Sequence, residues 1–505
     1  AILQKTLADS AKIEAVVQLD NAVLQEKRAL QAQETSEKLR YQAVAQSMAL
    51  RAIDVPDDQL RAVIAKQAYD FFIAYKEPDK QYNGDIYAGA YYGIKGLLKL
   101  DQYEKAPEAG RDAATFKADS AFNQYHGHTQ PGPGREVVNV RSVAFSKDGS
   151  KMYSAGGDGR LLQWDFDDRS YIEVYKQSNV NRVVNISPNE RWLALGTSED
   201  EIDLFDLDDI FKEPKKLEGH QGAVYDLVFF DGNFGFASVG ADKKILINSY
   251  RESILLAELE STTKTIAISP DGKYLAAGSM NGEVILFDLE GLEEPKKIIR
   301  KDMEQKPILD VKFSYNGKFL AIGGLNINNG LGYAFIWDRK NNTQYGPELM
   351  GFSAQVNDVE FSKDDFLLAV SSNDNSVRFW DLDPDNIYDL PTIIYDHKGW
   401  VWDASFHPNG GYLVTAAEDG LLRRFPLKPN KMVKDLCNYI SRNMSDIEWR
   451  QYVGDASEIP WVETCKGKIK PSNEASNSKI QVDSSSINER NLESNESSKS
   501  KNEKN

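Results

Sequence analysis

The sequence predicts a mainly-β fold that is built from a repeated unit and flanked by helices. Three observations support this. A strand-and-turn pattern recurs seven times, as VRSVAFSKDG, NRVVNISPNE, VYDLVFFDGN, TKTIAISPDG, ILDVKFSYNG, VNDVEFSKDD and VWDASFHPNG. The apolar residue before each turn returns at spacings of 41, 43, 39, 45, 48 and 45 residues. Each unit then ends in a second signature: QWD, LFD, INS, LFD, IWD, FWD or RFP.

A period of about forty residues, four short strands per unit and WD-type endings resemble the WD-repeat family of β-propellers. The resemblance implies a seven-bladed ring, which we place at residues 119–430. A single blade cannot cover both of its apolar faces, so stacking seven around an axis buries them between neighbours. We expect residues 121–125 to pair with the strand at 421–425, because this clasp would leave no raw sheet edge at the seam.

Helices precede the repeats. Residues 1–55 contain neither Gly nor Pro, and apolar residues recur in short steps that are typical of an amphipathic helix. The heptads are not sustained, so a coiled coil, and with it self-association through residues 1–55, is one of two alternatives. Val55-Pro56 ends this helix and Asp57-Asp58 can cap the next. Residues 1–118 are therefore predicted to be an all-helical module.

Helix returns at residues 431–465. The segment LCNYISRNMSDIEWRQYVG, followed by Cys465, resembles the closing motif of bacterial WD-repeat proteins attached to STAND-type NTPases. The matching residues are Cys437, Arg442, Asn443, Glu448, Trp449, Tyr452 and Cys465. Residues 41–72 are similar to the connector that those proteins place before the propeller. The tail, 466–505, lacks aromatic residues and is rich in Ser and Asn, so it is predicted to be disordered.

Composition excludes several classes of protein. The formal charge of −17 argues against a nucleic-acid surface, and no apolar run reaches the ~18 residues of a membrane span. Two cysteines are too few for a disulfide framework or a four-cysteine zinc site, and their number fits a reducing compartment. We therefore expect a cytoplasmic protein. Because the chain starts with Ala1, we also expect an upstream part, which could tether it to the inner face of a membrane.

The resemblance implies a structural network in some blades, made by a His, a Ser or Thr, a turn Asp and the Trp. Its members here are His128, Ser154, Asp158 and Trp164; His220, Ser238 and Asp242; and His397, Thr415 and Asp419. Asn248 and Phe425 replace the Trp in the third and seventh repeats. Histidines held in such networks are poor general bases.

Other catalytic signals are missing from the sequence. It contains no phosphate loop, HExxH or GxSxG motif, and we expect no His/Asp/Glu cluster at the axis. We therefore predict no enzyme activity, no cofactor, no metal and no ATP binding. The acidic runs WDFDD, FDLDD, FDLEGLEE and WDLDPD follow third strands, where Asp commonly bonds its own turn. The alternative is that this acidic face binds a basic partner or a cation.

Propellers of this family bind mainly through the opposite end of the ring. The flanks of the first strands should lie there, and we predict a protein-binding patch made by Trp400, Trp402, Arg141, Asn139, Arg182, Tyr225, Lys264, Leu309 and Asn357. Trp, Tyr and Arg are the residues that most often anchor interfaces. Two insertions, Thr129–Glu136 and Leu325–Gly332, should flank the patch. The alternative for Trp402 is that it packs into its own blade.

The sequence thus predicts a protein-binding sensor or scaffold module. By resemblance it would be the sensing end of a larger bacterial STAND-type signalling or defence protein. A free-standing or membrane-tethered scaffold is the main alternative, and a propeller hydrolase is the weaker one.

Overall fold

The computed structural model describes residues 2–76, 83–97, 124–128, 139–230, 235–291, 295–298, 306–384, 387–388, 390–433, 436–455 and 457–472. Contacts divide the chain into two compact units. One joins Ala1–Lys99 with Pro429–Asn505, and the other is Leu100–Lys428. The predicted boundary at residue 118 lies outside the described residues, as does the predicted tail beyond residue 472. Residues 466–472, which were predicted to belong to the disordered tail, are ordered instead, since Asn443 donates to the Lys468 carbonyl at 2.9 Å.

The second unit is the predicted seven-bladed β-propeller. Its described strands form seven four-stranded antiparallel sheets, which we number as blades in chain order. Blades 1 to 4 contain β2 (Val140–Phe145), β3 (Lys151–Gly156), β4 (Arg160–Asp165) and β5 (Tyr171–Lys176); β6 (Asn181–Ile186), β7 (Trp192–Thr197), β8 (Ile202–Asp206) and β9 (Lys215–Leu217); β10 (Val224–Phe229), β11 (Phe236–Gly240), β12 (Lys244–Asn248) and β13 (Ser253–Glu258); and β14 (Thr263–Ile268), β15 (Tyr274–Ser279), β16 (Val284–Asp288) and β17 (Lys296–Ile298).

The remaining blades are built in the same way. Blades 5 to 7 contain β18 (Ile308–Phe313), β19 (Phe319–Asn326), β20 (Leu331–Asp338) and β21 (Thr343–Leu349); β22 (Val356–Phe361), β23 (Leu367–Ser372), β24 (Val377–Asp381) and β25 (Thr392–Ile394); and β26 (Val401–Phe406), β27 (Tyr412–Ala417) and β28 (Leu421–Pro426) with β1 (Gln124–His126). A single 3-10 turn, Leu207–Asp209, follows β8 among the described residues.

The core lies between blades. For example, Tyr153 and Leu161 of blade 1 pack against Leu193, Leu195 and Phe205 of blade 2, and all five are buried. This arrangement covers both faces of each sheet, as the repeat pattern predicts. The first strand of each blade is innermost and contacts the first strands of both neighbouring blades, so these seven strands surround a central channel.

Side chains of the innermost strands tie each blade to the next. In blades 3, 5, 6 and 7 an Asp at the third position of the strand accepts a hydrogen bond from a backbone N–H of the following blade. The N···O distances are 2.9 Å for Ile266 to Asp226, 2.9 Å for Val359 to Asp310, 3.1 Å for Ala404 to Asp358 and 2.7 Å for Val143 to Asp403. An innermost strand has an unpaired edge, so these bonds satisfy backbone groups that would otherwise be buried without a partner.

Hydroxyl groups take the same role at two other junctions. Ser142 Oγ accepts from Val184 N at 3.2 Å, and Thr265 Oγ1 accepts from Val311 N at 3.1 Å. Blade 2 is the exception, because its third position is Val183, which cannot accept. There the Asn185 amide crosses to blade 3 instead and donates to a backbone carbonyl.

The predicted clasp is confirmed. β1 pairs antiparallel with β28, with Tyr125 opposite Leu422, and so supplies the outer strand of blade 7. Tyr125 is buried; its hydroxyl donates to the Phe166 carbonyl at 3.0 Å, and its ring lies edge-on to Trp164 at 5.6 Å. The first described strand of the propeller therefore closes the last blade.

The first unit is helical. It contains α1 (Ile2–Ile53), α2 (Asp58–Tyr75), α3 (Gly84–Leu97), α4 (Pro429–Val433), α5 (Leu436–Tyr439) and α6 (Asp446–Tyr452). The predicted cap is present, since Asp57 Oδ1 accepts from Leu60 N at 2.8 Å. Among the α1 side chains that the structure describes, the buried ones lie near the end of the helix and include Ala45, Met48 and Ala52. None of the described helices combines the length and apolar character of a membrane span.

The closing motif packs on α2. Phe71 meets the buried Trp449 edge-on at 6.2 Å, and Thr464 donates to the Gln67 side chain at 2.7 Å. Arg442 forms two hydrogen bonds to Glu448, at 2.7 and 2.8 Å. Residues from the two ends of the chain thus share one core, although the sequence analysis treated them as separate modules.

The two cysteines do not stay apart. Cys437 and Cys465 form a disulfide, with their Cα atoms 5.4 Å apart. A disulfide is not typical of a reducing compartment, so the number of cysteines does not by itself indicate where the protein is located. A count of cysteines could not show that the closing motif folds back on itself, where Asn443 holds Cys465 by hydrogen bonds to its backbone N–H and carbonyl.

Replacing the clasp tyrosine should destabilise the propeller. We expect Tyr125→Ala to lower its free energy of unfolding by about 3–5 kcal/mol, because a buried ring is lost. Tyr125→Phe should cost only about 1 kcal/mol, the value of one hydrogen bond. Urea unfolding measures both, with the exposed Tyr388→Ala as control. Equal stability of Tyr125→Ala and the parent chain would show that the clasp does not hold the ring.

Removing the disulfide should destabilise the helical unit. We expect the double variant Cys437→Ser/Cys465→Ser to lose about 2–4 kcal/mol, because the cross-link restricts the unfolded chain. Differential scanning calorimetry with and without dithiothreitol measures the effect. Reductant should lower the melting temperature of the parent chain and leave that of the double variant unchanged. If dithiothreitol left the melting temperature of the parent chain unchanged, this expectation would be contradicted.

Candidate binding site at the mouth of the channel

A β-bulge occurs at the start of every innermost strand. In each blade the pairing between the first and second strands skips the second residue of the first strand. Bulges re-aim side chains and are common at barrel rims and next to binding sites. The seven residues at this position form what we call the bulge ring: Arg141, Arg182, Tyr225, Lys264, Leu309, Asn357 and Trp402.

Most of the bulge ring is joined by contacts between cations and aromatic rings. The Arg141 guanidinium lies 3.8 Å from the centre of the Trp402 ring. Tyr225 is contacted from both sides, by Lys264 Nζ at 3.3 Å and by the Arg182 guanidinium at 5.3 Å. Each contact bridges different blades, so the ring side chains form an arc over blades 7, 1, 2, 3 and 4.

The predicted residues outside the bulge ring have different positions. Trp400 precedes β26, keeps 42% of its surface exposed and meets Trp402 edge-on at 5.4 Å. Asn139 is buried just before β2. Asn357 lies in the ring but is already engaged, since its amide donates to Asn373 at 2.6 Å and to the Val401 carbonyl at 2.7 Å. The exposed centre of the patch is therefore Trp400 with the arc.

Three donors in the arc lack an acceptor. Within the part of the chain that the structure describes, Arg141 Nε, Arg182 Nε and Trp402 Nε1 are shielded from solvent and have no hydrogen-bond partner. A shielded donor without a partner costs about 1–3 kcal/mol. An arriving acceptor group would therefore gain more here than at a surface whose polar atoms are already satisfied.

Burial and mutual repulsion act on the cations. Burial, together with the charge of Arg182, lowers the pKa of Arg141 to about 10, and Glu418 offsets part of this. Burial and the charges of Arg182 and Arg141 lower the pKa of Lys264 to about 8. The arc thus concentrates positive charge that its surroundings do not neutralise.

One of the two predicted insertions is visible. Leu325–Gly332 extends β19 and β20, which makes a longer hairpin in blade 5 and exposes Ile327. Thr129–Glu136 lies outside the described residues.

The first blade assembles the full histidine set. His128 Nδ1 lies 2.9 Å from Asp158 Oδ1, and its Nε2 lies 2.7 Å from Ser154 Oγ. Trp164 Nε1 donates to the same Ser154 oxygen at 2.8 Å. Burial alone would raise the pKa of Asp158, but the bond to His128, the backbone bond from Arg160 and the charges of these two residues together outweigh it and lower that pKa. All four side chains are therefore engaged in hydrogen bonds that stabilise the blade.

The third blade repeats the set with a substitute. His220 lies 3.0 Å from Asp242 Oδ1 and 2.8 Å from Ser238 Oγ. Asn248, in place of the Trp, donates from its amide to Ser238 at 2.8 Å. Burial lowers the pKa of His220, which favours the neutral ring. The sequence analysis missed that an amide can replace the indole N–H.

The seventh blade divides the set. His397 Nε2 lies 2.7 Å from Thr415 Oγ1, and Phe425 supplies no donor. Asp419 instead pairs with the buried Arg423, at 2.7 and 3.0 Å. The buried Arg423 beside Asp419 was not predicted. The only indication in the sequence is that this arginine lies within an otherwise strand-like segment, LLRRF.

The acidic turns at the other end of the blades bond themselves, as turn chemistry predicts. The carboxylates of Asp165, Asp206, Asp288 and Asp381 each accept from the backbone N–H two residues later, at 2.9–3.1 Å. Among the described residues, no group of three or more His, Cys, Asp or Glu side chains is arranged to hold a metal ion.

The channel holds an acidic cluster that the sequence analysis did not expect. Burial raises the pKa of Asp226 and of Glu360 to about 7, and the charge of Lys312 offsets part of each shift. Burial would lower the pKa of Lys312, but the surrounding carboxylates outweigh it and hold that pKa well above the usual value. The expectation that no acidic groups meet at the axis is wrong, since Asp310, Asp358 and Asp403 also face Lys312.

This cluster has a structural role in the ring. Its four aspartates accept the hydrogen bonds between blades, and Lys312 Nζ lies 3.6 Å from Glu360 Oε2. The Lys312 side chain is 42% exposed to the channel, so solvent weakens this pair. The hydrolase alternative gains no support from the four aspartates, because they already accept from backbone groups.

Neutralising Glu360 should change how stability depends on pH. The raised pKa means that ionised Glu360 opposes folding, so its favourable contribution is complete below about pH 4.5 and is lost as the pH rises through about 7. We expect Glu360→Gln to melt above the parent chain at about pH 8 and to approach it at about pH 4. Thermal melts of both chains, with the exposed Glu260→Gln as control, measure this. A difference that does not vary with pH would contradict the assignment.

Comparison with known proteins agrees with this architecture. The model of the WD40 family (WD domain, G-beta repeat) matches residues 123–165, 255–288, 346–381 and 389–425. The first of these segments runs from β1 to the end of β4, and the last includes most of blade 7.

Curated relatives are similar over part of the chain. The Arabidopsis thaliana WD repeat-containing protein 26 homolog is 25% identical over 51% of this chain and 42% of its own length. Human pre-mRNA-processing factor 17 is 27% identical over 41% of this chain and 36% of its own. Denticleless protein homolog B of Xenopus laevis is 24% identical over 54% and 39%. The chain spans less than half the length of each. These similarities and the fold together show that the chain carries WD40 repeats in a seven-bladed β-propeller.

Proposed function

We propose that this chain is a non-catalytic scaffold that binds a partner protein at the bulge ring and Trp400. One observation carries the proposal: seven register-equivalent side chains are re-aimed by bulges to the mouth of one channel, and three shielded donors among them lack acceptors. Arginine and aromatic residues are enriched at binding hot spots.

Catalysis has little support in the same geometry. The histidines of blades 1 and 3 are held on both ring nitrogens by side chains of their own blades. The four channel aspartates accept from backbone N–H groups, and Glu360 pairs with Lys312. The histidines and the aspartates are therefore engaged in holding the blades together.

The finer proposal is that the scaffold is the sensing end of a bacterial STAND-type signalling protein. The closing motif supports it, because its Arg442, Glu448 and Trp449 pack together in the helical unit as a folded element. The three relatives are eukaryotic and their names point to no single process, so a free-standing scaffold is the alternative. A phosphate-binding loop encoded upstream of Ala1 would decide between them.

Self-association and location are further proposals. Leu19, Val23 and Leu30 of α1 are exposed, which supports self-association through this helix. We propose that the chain is cytoplasmic, either free or tethered to the inner face of the membrane, on the basis of the STAND-type resemblance. The disulfide Cys437–Cys465 is instead typical of oxidising compartments. Alkylation of cysteines before cell lysis distinguishes the two, because only free thiols react.

Truncating Trp400 should weaken binding without unfolding the propeller. We expect Trp400→Ala to cost about 2 kcal/mol of affinity for the partner, as hot-spot truncations do, because its indole is exposed and central to the patch. Trp402→Ala should also disturb folding, since Arg141 stacks on it. The partner is captured from cells of the source organism with the parent chain and then titrated against each variant.

A matched control comes from the opposite end of the blades. Tyr388 follows β24 and is 74% exposed, so Tyr388→Ala removes an exposed aromatic ring away from the channel mouth. Loss of binding by Tyr388→Ala with full binding by Trp400→Ala would overturn the proposed site.

A further inference from the structure

We propose that the bulge ring binds an extended peptide segment that carries several Asp or Glu side chains. The inference rests on the proposed function and names the class of partner. It is carried by the charge and the unmet donors of the arc formed by Trp402, Arg141, Arg182, Tyr225 and Lys264.

The sign of the charge is the first step. The bulge ring contains three cationic residues, Arg141, Arg182 and Lys264, and no acidic one. The chain as a whole has a formal charge of −17. A local positive surface on an acidic protein selects acidic partners at short range and repels basic ones.

Unmet hydrogen-bond donors are the second step. Arg141 Nε, Arg182 Nε and Trp402 Nε1 all donate and cannot accept, and no described residue accepts from them. Carboxylate oxygens only accept, and hydrogen bonds from a charged donor to a carboxylate are about twice as strong as neutral ones. Backbone carbonyls of any peptide can accept from these donors as well, but only carboxylates also supply a charge that complements the two arginines.

Crowding of the cations is the third step. Burial and neighbouring positive charge depress the pKa of Lys264 to about 8 and that of Arg141 to about 10. Glu418 is the acidic residue that acts on Arg141, and its carboxylate already accepts from Trp400 N at 3.2 Å. Carboxylates that enter the arc would relieve this repulsion.

The distribution of the cations favours an extended segment. They belong to blades 1, 2 and 4, and Tyr225 of blade 3 lies between Arg182 and Lys264. A peptide with acidic side chains at intervals can meet the cations of successive blades in turn, and its apolar parts can contact Tyr225 and Trp400.

The test is selection of short random peptides displayed on phage by the immobilised full chain. We expect the selected peptides to be enriched in Asp and Glu. A synthetic copy of one selected peptide, and a copy with Gln for every Glu and Asn for every Asp, are then titrated by fluorescence anisotropy. The amide copy should bind at least about tenfold more weakly, since one lost contact of this kind is worth about 1.4 kcal/mol.

Substitutions in the bulge ring test whether the acidic peptide binds there. Arg182→Gln should weaken the acidic peptide about tenfold, and Arg182→Lys should restore part of the affinity. Arg191→Gln is the matched control, because Arg191 lies at the opposite end of blade 2, paired with Asp206. Circular dichroism melts exclude unfolding of each variant.

The depressed pKa of Lys264 adds an independent readout. We expect affinity for the acidic peptide to fall as the pH rises through about 8, because Lys264 loses its charge there, whereas Lys264→Arg should bind without this dependence. Tyr225, Arg182 and Arg141 face Lys264, and the two arginines stay charged in this range.

The outcomes separate the two proposals. Selected peptides that are neutral or basic, yet lose affinity with Trp400→Ala, would overturn the acidic partner and leave the scaffold site standing. Equal binding of the acidic peptide and its amide copy would do the same. Failure to select any peptide, or binding that no substitution in the bulge ring alters, would overturn both.

Discussion

The structure depends on how the innermost strand of each blade satisfies its free edge. A sheet edge that faces a channel carries backbone N–H groups with no strand beside them. Here the third residue of the strand reaches to the next blade and accepts one of these groups. Because donor and acceptor belong to different blades, each bond also sets the angle and distance between neighbours. Blade 2, with Val183 at this position, relies on the Asn185 amide instead.

The choice of acceptor has an electrostatic result. Four of the acceptors are aspartates, and they would repel one another around a narrow axis without a cation among them. Lys312 supplies that cation, which explains why its pKa is held high while those of Asp226 and Glu360 are raised by burial. The bulge ring precedes the third strand position by one residue, and in four of the seven strands that position is one of these aspartates. A carboxylate that reaches the ring therefore meets cations first and like charges below, which would keep it at the mouth.

Much of the propeller could be predicted because it follows from period and local pattern. Seven copies of one signature predict seven blades, and surplus strand before the first repeat predicts the clasp. The residues of the bulge ring were predicted as a face, but the bulge itself was not, since nothing in VRSVAF or VWDASF marks which residue leaves the ladder. The channel cluster was missed because its aspartates, Asp226, Asp310, Asp358 and Asp403, lie 84, 48 and 45 residues apart and meet only when the ring closes. The disulfide was missed for the same reason on a smaller scale.

The clasp also has a consequence for biosynthesis. β1 is made before the other described strands of the propeller, but its partner β28 follows about 300 residues later. At a synthesis rate of about 5–20 residues per second, β1 leaves the ribosome roughly 15–60 s before that partner does. During this interval Tyr125 has no blade to enter, while the blades of the early repeats can already stack. The nascent chain must therefore carry β1 unpaired, with the Tyr125 ring uncovered, until the last blade has been made.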